Sequence, residues 1–488
     1  MMHVRSSFFP ILVAMALFAT SCGDSLPEPE PFGALPTPEQ VKWQRMEINM
    51  FCHFGPNTFS GREWGLGTEA EDLFDPTAMD CRQWVDVAAQ AGMGGIIITA
   101  KHHDGFCLWP SKQSSHTVAQ SRWQQGGGDV LRSLRQAIDA YNDSAPQHPL
   151  GMGVYVSPWD RNHPAYGTDG YNAVFAATLE EVHSLYGPMF EQWFDGANGE
   201  GPNGKRQQYD WPLFNGTASR LSPGCVIFSD VGPGCRWVGN EEGHADATNW
   251  STIAVGADER RTAQAGCGVP GGDTWAPAEV DVSIRAGWFW HQEEQPKSLD
   301  ELMVIYFNSV GRNGLLLLNV PPDNRGLIPA EDSLRLVEFR RERDRIFGTD
   351  LAAGAIVSAS YYGDGRSQKY APQNVIDTSY HTYWLPDSNA TRAMLTLTFD
   401  SPRLFDVICL QEYIPLGQRV SRFRLEYLAP GSNTWQPLAE GTTIGYKRLL
   451  RLPTAVTASQ VRLCIDAALA TPILNRLSLH LASVPNCE

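Results

Sequence analysis

The chain has 488 residues, of which 42% are hydrophobic and 19% charged, with a formal net charge of −16. That length allows two or three domains with a large core. The acidic balance argues against a nucleic-acid partner, because phosphates select a basic face. The 15 Trp residues suit sugar rings, whose C–H faces stack on aromatics, although most indoles in any chain fill cores.

Residues 1–21 read as a secretory signal peptide. Arg5 precedes an apolar run from Phe8 to Phe18 that is too short to remain a membrane span. Ala19, Thr20 and Ser21 before Cys22 resemble a lipoprotein-type cleavage box. This predicts lipid on Cys22 and an exported protein, periplasmic or anchored to the outer membrane of a Gram-negative bacterium. Residues 22–36 form a Pro-rich tether. No later segment reads as transmembrane. With Cys22 set aside, the other nine cysteines show no CxxC or zinc-type spacing, and a Cys225–Cys235 or Cys235–Cys267 disulfide stays open.

Residues 37–348 alternate short apolar runs with amphipathic stretches. Strands are predicted at 48–54, 94–101, 151–158, 189–196, 224–230, weakly at 280–284, and at 314–322. Helices are predicted at 79–92, 129–142, 298–311 and 332–346. Alternation at this pace implies a parallel sheet, and near-continuous apolar strands imply burial on both faces. About 300 residues of it suit a (β/α)8-like barrel in the α/β class better than an open sheet. The run Gly126, Gly127, Gly128 before Asp129 reads as the lead into a helix N-cap rather than a phosphate loop. Residues 349–488 switch to six alternating strands at 393–401, 404–413, 422–430, 446–452, 460–466 and 473–480, which predict an antiparallel β-sandwich.

The stretch ITAKHHDGF carries the chemistry. An apolar run from Gly95 ends in Lys101, His102, His103 and Asp104, side chains that are costly to place at the mouth of a buried strand. In a parallel barrel, residues just past the strand ends converge on one rim. Those positions are His53, His102, His103, Tyr155, Trp193, Asp195 and the loop from Asp230 to Glu241 and Glu242, with Trp288 and Trp290 as later aromatics. Metal hydrolysis fits poorly, since adjacent His residues chelate badly and no HExxH is present; no metal or cofactor is expected. Serine chemistry lacks a GxSxG elbow. Two carboxylates with aromatic walls suit glycosidic cleavage. Asp195 is the nucleophile candidate, and Glu191 on the same strand lies deeper. Acid/base candidates are Asp230, Glu241, Glu242, Glu293 and Glu294; Glu241 sits where a flanking indole would raise its pKa.

The motifs MFCHFG, Glu63–Trp64, TAKHHDGF, GVYVSPWD, EQWFDG and SVGRNGLLLLNVPPDNRG resemble those of the α-L-fucosidases of glycoside hydrolase family 29, in family order across residues 40–347. The resemblance implies a retaining exo-fucosidase. It makes Asp195 the nucleophile, and His53, Glu63, His102, His103 and Tyr155 hydroxyl contacts. Trp193 and Trp288 become apolar walls, with Trp64 a further substrate contact. SDVGPGCRWVGNE resembles the branch that prefers α-1,3/1,4-linked fucose, in which Glu241 is the acid/base. The partner implied is a fucosylated oligosaccharide or glycoconjugate. A catalytically inactive glycan-binding surface protein and an exo-glycosidase for another sugar are the alternatives. NVIDTSYHTYW resembles the discoidin-like (coagulation factor 5/8 type) sandwiches, where Trp384 would be a core residue more often than a ligand contact.

Overall fold

The computed structural model describes residues 28–229, 232–254, 264–360, 368–386 and 390–483. Residues 1–21, which read as a signal peptide, lie outside the described residues, as do Cys22 and Asp230. From Pro31 onward the chain forms one compact unit. No helix among the described residues is long and apolar enough to cross a membrane.

The strands run β1 (Ile48–Cys52), β2 (Gly95–Lys101), β3 (Gly151–Val156), β4 (Glu191–Trp193), β5 (Val226–Phe228), β6 (Arg236–Trp237), β7 (Thr252–Ile253), β8 (Thr274–Trp275), β9 (Ala278–Ser283) and β10 (Gly314–Asn319). Eight of them form one parallel sheet in the order β5-β4-β3-β2-β1-β10-β9-β6. A parallel bridge between Phe228 and Cys235 sets the approach to β6 beside β5, so the sheet nearly closes into a barrel. β7 and β8 pair separately as a small antiparallel ribbon.

Period-two alternation sorts the side chains of this sheet into two layers. Ile48, Met50, Ile96, Ile98, Met152, Val154, Leu316 and Leu318 belong to the core shared with the helices. Phe51, Ile97, Tyr155, Trp193, Phe228, Leu315 and Leu317 fill the barrel interior. Trp193 stacks on Phe228, with ring centroids 3.9 Å apart and planes 7° from parallel. The covering helices include Cys81–Ala91, Val130–Ser144, Tyr171–Tyr186, Trp211–Leu221, Leu299–Asn308 and Ala330–Phe347. Asp129 does cap its helix, accepting a hydrogen bond from the Arg132 amide.

Some elements of the barrel differ from the sequence reading. The eighth strand, β6, has two residues and so shows no alternation to read. The helices Tyr171–Tyr186 and Trp211–Leu221 were not expected. Cys225, Cys235 and Cys267 are all free thiols, so neither disulfide is formed.

The C-terminal region is antiparallel: β11 (Ile356–Ala359), β12 (Ala393–Glu412), β13 (Val420–Leu428), β14 (Gln436–Gly441), β15 (Arg448–Ala468) and β16 (Leu474–His480). The predicted strands at 393–401 and 404–413 are two halves of β12, and those at 446–452 and 460–466 are halves of β15. Register shifts between Thr398 and Arg403 and between Phe405 and Val407 break the alternation mid-strand. Trp384 is fully buried in the core of this region.

The sandwich is fused to the barrel through polar groups. Tyr446 and Tyr306 each donate to Glu47 at 3.0 Å, and Lys447 pairs with the same carboxylate. Burial alone would raise the Glu47 carboxyl, but Lys447 and the two phenols outweigh it and hold it below its ordinary value. Thr443 accepts from the Asn249 amide at 2.9 Å, and Val407, Cys409 and Leu449 join the hydrophobic core of the barrel.

Candidate active site

The interior parity of each strand predicts what stands at the mouth of the barrel. On β4 the interior positions are Glu191 and Trp193, and the next along is Asp195. On β1, Phe51 is followed by His53. On β9, Glu279 is followed by Asp281. Asp195, His53 and Asp281 all line one pocket of about 240 Å³, together with Phe51, Tyr155, Trp193 and Ala197. Glu63, Trp64, His102, His103, Glu241 and Trp288 complete it. Asp195, Glu241 and each of the hydroxyl contacts and aromatic walls named from the family resemblance therefore reach this cavity. Its volume falls below the roughly 300–1,000 Å³ of pockets for drug-sized ligands, a size for one sugar ring.

Asp195 is held from three sides. Its Oδ2 accepts from the Tyr155 hydroxyl at 2.9 Å and its Oδ1 from the Ala197 amide at 2.8 Å. His103 Nε2 lies 3.6 Å from Oδ2. Burial pushes the carboxyl above its ordinary value, while the two hydrogen bonds pull it back. Burial and the Asp195 charge hold the Tyr155 phenol well above its ordinary range, so it remains a donor.

The three histidines are neutral. Burial lowers His53 to about 3, partly offset by Asn319, and lowers His103 to about 3 with Lys101 and Arg161 nearby. His102 is pushed well below its ordinary value by burial and its two His neighbours. His53 Nδ1 lies 2.9 Å from Asn319 Oδ1, an oxygen with no proton to give, so Nδ1 carries the hydrogen and Nε2 is left as an acceptor. Asn319 itself donates to Ser283 Oγ and to the Trp288 carbonyl. His103 Nδ1 is 2.8 Å from Ser157 Oγ. The buried His102 Nδ1 has no hydrogen-bond partner among the described residues.

Glu63 organises the opposite wall. Its carboxylate accepts from the Trp288 amide at 2.9 Å and meets His291 Nε2 at 2.7 Å. A Cβ at Gly287 would lie 2.5 Å from Glu63 Oε1, so a side chain there would displace the carboxylate. Arg285, buried between Asp332 and Glu331, roots the same loop in the helix Ala330–Phe347. Trp288 then presents its Nε1 to Glu241 Oε2 at 3.1 Å. Trp64 stands more than half exposed at the rim, edge-on to His103 and Trp159.

The remaining candidates lie elsewhere. Glu242, Glu293, Glu294 and Trp290 do not line the pocket. Glu294 accepts from the Gly287 amide, and the buried aromatic at that loop is Phe289, edge-on to His53 and His102. Lys101 is spent in a buried ion pair with Asp160 at 3.0 Å, which explains one of the four residues of the KHHD cluster. Asp104 lies behind the pocket, its carboxyl raised by burial to about 6. The sequence reading missed Asp281, Asn319 and His291. Asp281 accepts from Trp237 Nε1 at 2.9 Å and is raised well above its ordinary value by burial, with Glu241 and Glu279 adding to the rise. Among the described residues, Glu191, Cys235 and Glu279 are grouped closely enough to hold a metal ion, with one ligand atom from each within 4.8 Å of the others. That group lies inside the barrel and does not itself line the pocket.

Comparison with known proteins identifies the family. Residues 33–340 match the α-L-fucosidase family, and residues 356–477 match the F5/8 type C domain. The chain is 40% identical over 480 residues to α-L-fucosidase 1 of Arabidopsis thaliana, covering 97% of this chain and 93% of that protein. A Ruminococcus gnavus family 29 fucosidase, solved in complex with fucose, superposes with a TM-score of 0.85 at 32% identity, over 94% of this chain and 97% of that one. The chain belongs to the α-L-fucosidase family of glycoside hydrolases and carries a C-terminal domain of the F5/8 type C class.

Proposed function

We propose that this protein is a retaining, exo-acting α-L-fucosidase that removes terminal α-1,3/1,4-linked fucose from glycans by double displacement. The observation that carries this reading is that Asp195 and Glu241 line the same sugar-sized pocket. Asp195, stabilised by Tyr155 and the Ala197 amide, attacks the anomeric carbon. Glu241, steadied by Trp288, gives its proton to the leaving oxygen. The products of this first step are a fucosyl ester on Asp195 and the free acceptor glycan. Glu241, now a carboxylate, takes a proton from water, which attacks the same carbon and frees Asp195 and fucose. Such chemistry asks for a carboxyl separation of about 5–5.5 Å.

His53, His102, His103 and Glu63 bind the hydroxyl groups in this reading. The acceptor lone pair on His53 Nε2 and the unpartnered His102 Nδ1 support it. Trp193 and Trp288 form the apolar walls, and Trp64 at the rim contacts the substrate where the glycan leaves the pocket. The protein is exported and tethered by lipid on Cys22, a reading that rests on residues 1–22.

The test is a panel of α-1,2-, α-1,3-, α-1,4- and α-1,6-fucosylated oligosaccharides followed by mass. Loss of one fucose from Lewis a and Lewis x trisaccharides, with the α-1,2 and α-1,6 compounds intact, is expected. Tight binding of all of them without turnover would overturn the enzyme reading.

A further inference from the structure

Beneath the sugar pocket, two buried carboxyl groups lie close together, an oxygen of one within 4.8 Å of an oxygen of the other. Glu191, Glu279 and Cys235 are fully buried. Glu191 Oε2 accepts from Trp43 Nε1 at 2.7 Å, and Glu279 Oε1 accepts from Trp193 Nε1 at 2.8 Å. The other oxygen of each, Glu191 Oε1 and Glu279 Oε2, lies 4.0 Å from Cys235 Sγ. Among the described residues, no Lys, Arg or His forms an ion pair with either carboxyl group. Two carboxylates this close, in a dry interior and without a cation, cannot both ionise.

We propose that Glu191 and Glu279 are proton-sharing positioning residues that clamp the Trp193 indole, and with it the floor of the sugar site, from inside the barrel. Glu279 carries the proton on Oε2 and donates it to Glu191 Oε1. This leaves Glu279 Oε1 to hold the indole N–H. Burial raises both carboxyls, and the neighbouring Glu191 raises Glu279 well above its ordinary value. Burial likewise keeps the Cys235 thiol protonated. A relay results, running from Trp43 through Glu191 and Glu279 to Trp193. Its far end matters because Trp193 lines the pocket, stacks on Tyr155 at 5.3 Å, and stands two residues before Asp195. An indole fixed only by stacking can turn in its plane; one tied by its N–H cannot.

The proposal rests on this pocket binding a fucoside, so its test needs a readout apart from activity. Glutamine at position 279 can mimic a protonated glutamate, its amide donating to Glu191 and its carbonyl accepting from Trp193. Leucine can do neither. Glu279→Leu is expected to lower kcat/KM by about 10- to 100-fold through misplacement of the floor. Glu279→Gln should recover it to within a few-fold of the wild type. The indole N–H NMR signal of Trp193, identified by its loss in Trp193→Phe, should shift in Glu279→Leu and hold in Glu279→Gln. Infrared spectra of the wild-type protein at neutral pH should show the C=O stretch of a buried neutral carboxylic acid that Glu279→Gln removes.

Absence of that band in the wild type overturns the proposal, as does an unmoved indole signal in the Leu variant. A stoichiometric metal ion in the purified protein would overturn it too, since the ion would replace the shared proton. Failure of the wild type to release fucose would instead sink the functional reading, and the two spectra would still decide the clamp. Should Glu279→Leu not fold, the wild-type infrared band and the Gln variant alone suffice.

Discussion

The two walls of the pocket are built differently. The Asp195 wall grows out of β4: the carboxylate continues the interior row of Glu191 and Trp193, and a hydroxyl and an amide grip it. The Glu241 wall is a loop residue, exposed and held by one indole hydrogen bond. A nucleophile must meet the anomeric carbon in line, which favours a rigid mount. An acid/base must serve first a departing glycan and then a water, so it belongs at the open side. On the proposed roles, the contrast teaches that the fold spends its order on attack and leaves proton transfer to the rim.

Substitutions break this contrast in a graded way. The largest effect is expected from Asp195→Asn, which removes the nucleophile and should cut kcat by about 10⁴-fold on any fucoside. Glu241→Ala should cost about 10²–10⁴-fold on a natural glycan. It should cost far less on a nitrophenyl fucoside, whose leaving group needs no proton, and added azide should restore turnover only in this variant. Similar losses on both substrates would show that Glu241 does not act on the leaving group.

Tyr155→Phe tests the grip on Asp195. One hydrogen bond to a charged group is worth about 10- to 100-fold in rate. The variant also carries a pH signature. Attack needs the ionised carboxylate, so kcat/KM falls as pH drops through the Asp195 pKa. Burial raises that pKa and Tyr155 opposes the rise, so its loss moves the acid limb to higher pH. An acid limb that stays put would separate Tyr155 from the nucleophile.

The smallest effect on chemistry is expected from the joint between barrel and sandwich. Lys447→Met leaves the Glu47 carboxylate without its cation and with only the two phenols as donors, which should cost about 3–5 kcal/mol of stability. Thermal unfolding should register it while kcat per folded molecule stays at the wild-type level. A changed kcat would mean that the sandwich bears on the pocket.

Much of this was legible in the sequence, and the physical reasons differ by element. Strands such as β2 and β10 are buried on both faces, so Ile96 to Ile98 and Leu315 to Leu318 announce them. β6 is only Arg236 and Trp237, too short for a period. The helix Tyr171–Tyr186 carries aromatic and small residues around much of its surface, which blurs its stripe. In the sandwich, bulges within β12 interrupt the alternation, so one strand reads as two. The site residues found in advance are those at strand ends or in family-like motifs. Asn319 was read only as part of the strand at 314–322, and Asp281 lay in a weakly patterned strand. Glu279 reads in sequence as one more acid in a short strand. Only the closed barrel sets it against Glu191, from a strand some 90 residues away in the chain.

The most direct test of the account is to trap its first intermediate. A 2-deoxy-2-fluorofucosyl fluoride, whose ring fluorine slows both steps and whose leaving group needs little acid help, is incubated with the wild-type protein and the digest is read by mass spectrometry. The account expects one fluorofucosyl unit on the peptide containing Asp195, formed also in Glu241→Ala and absent in Asp195→Asn. A label on another carboxylate, or steady turnover of fucosides with no covalent adduct under any condition, would contradict it.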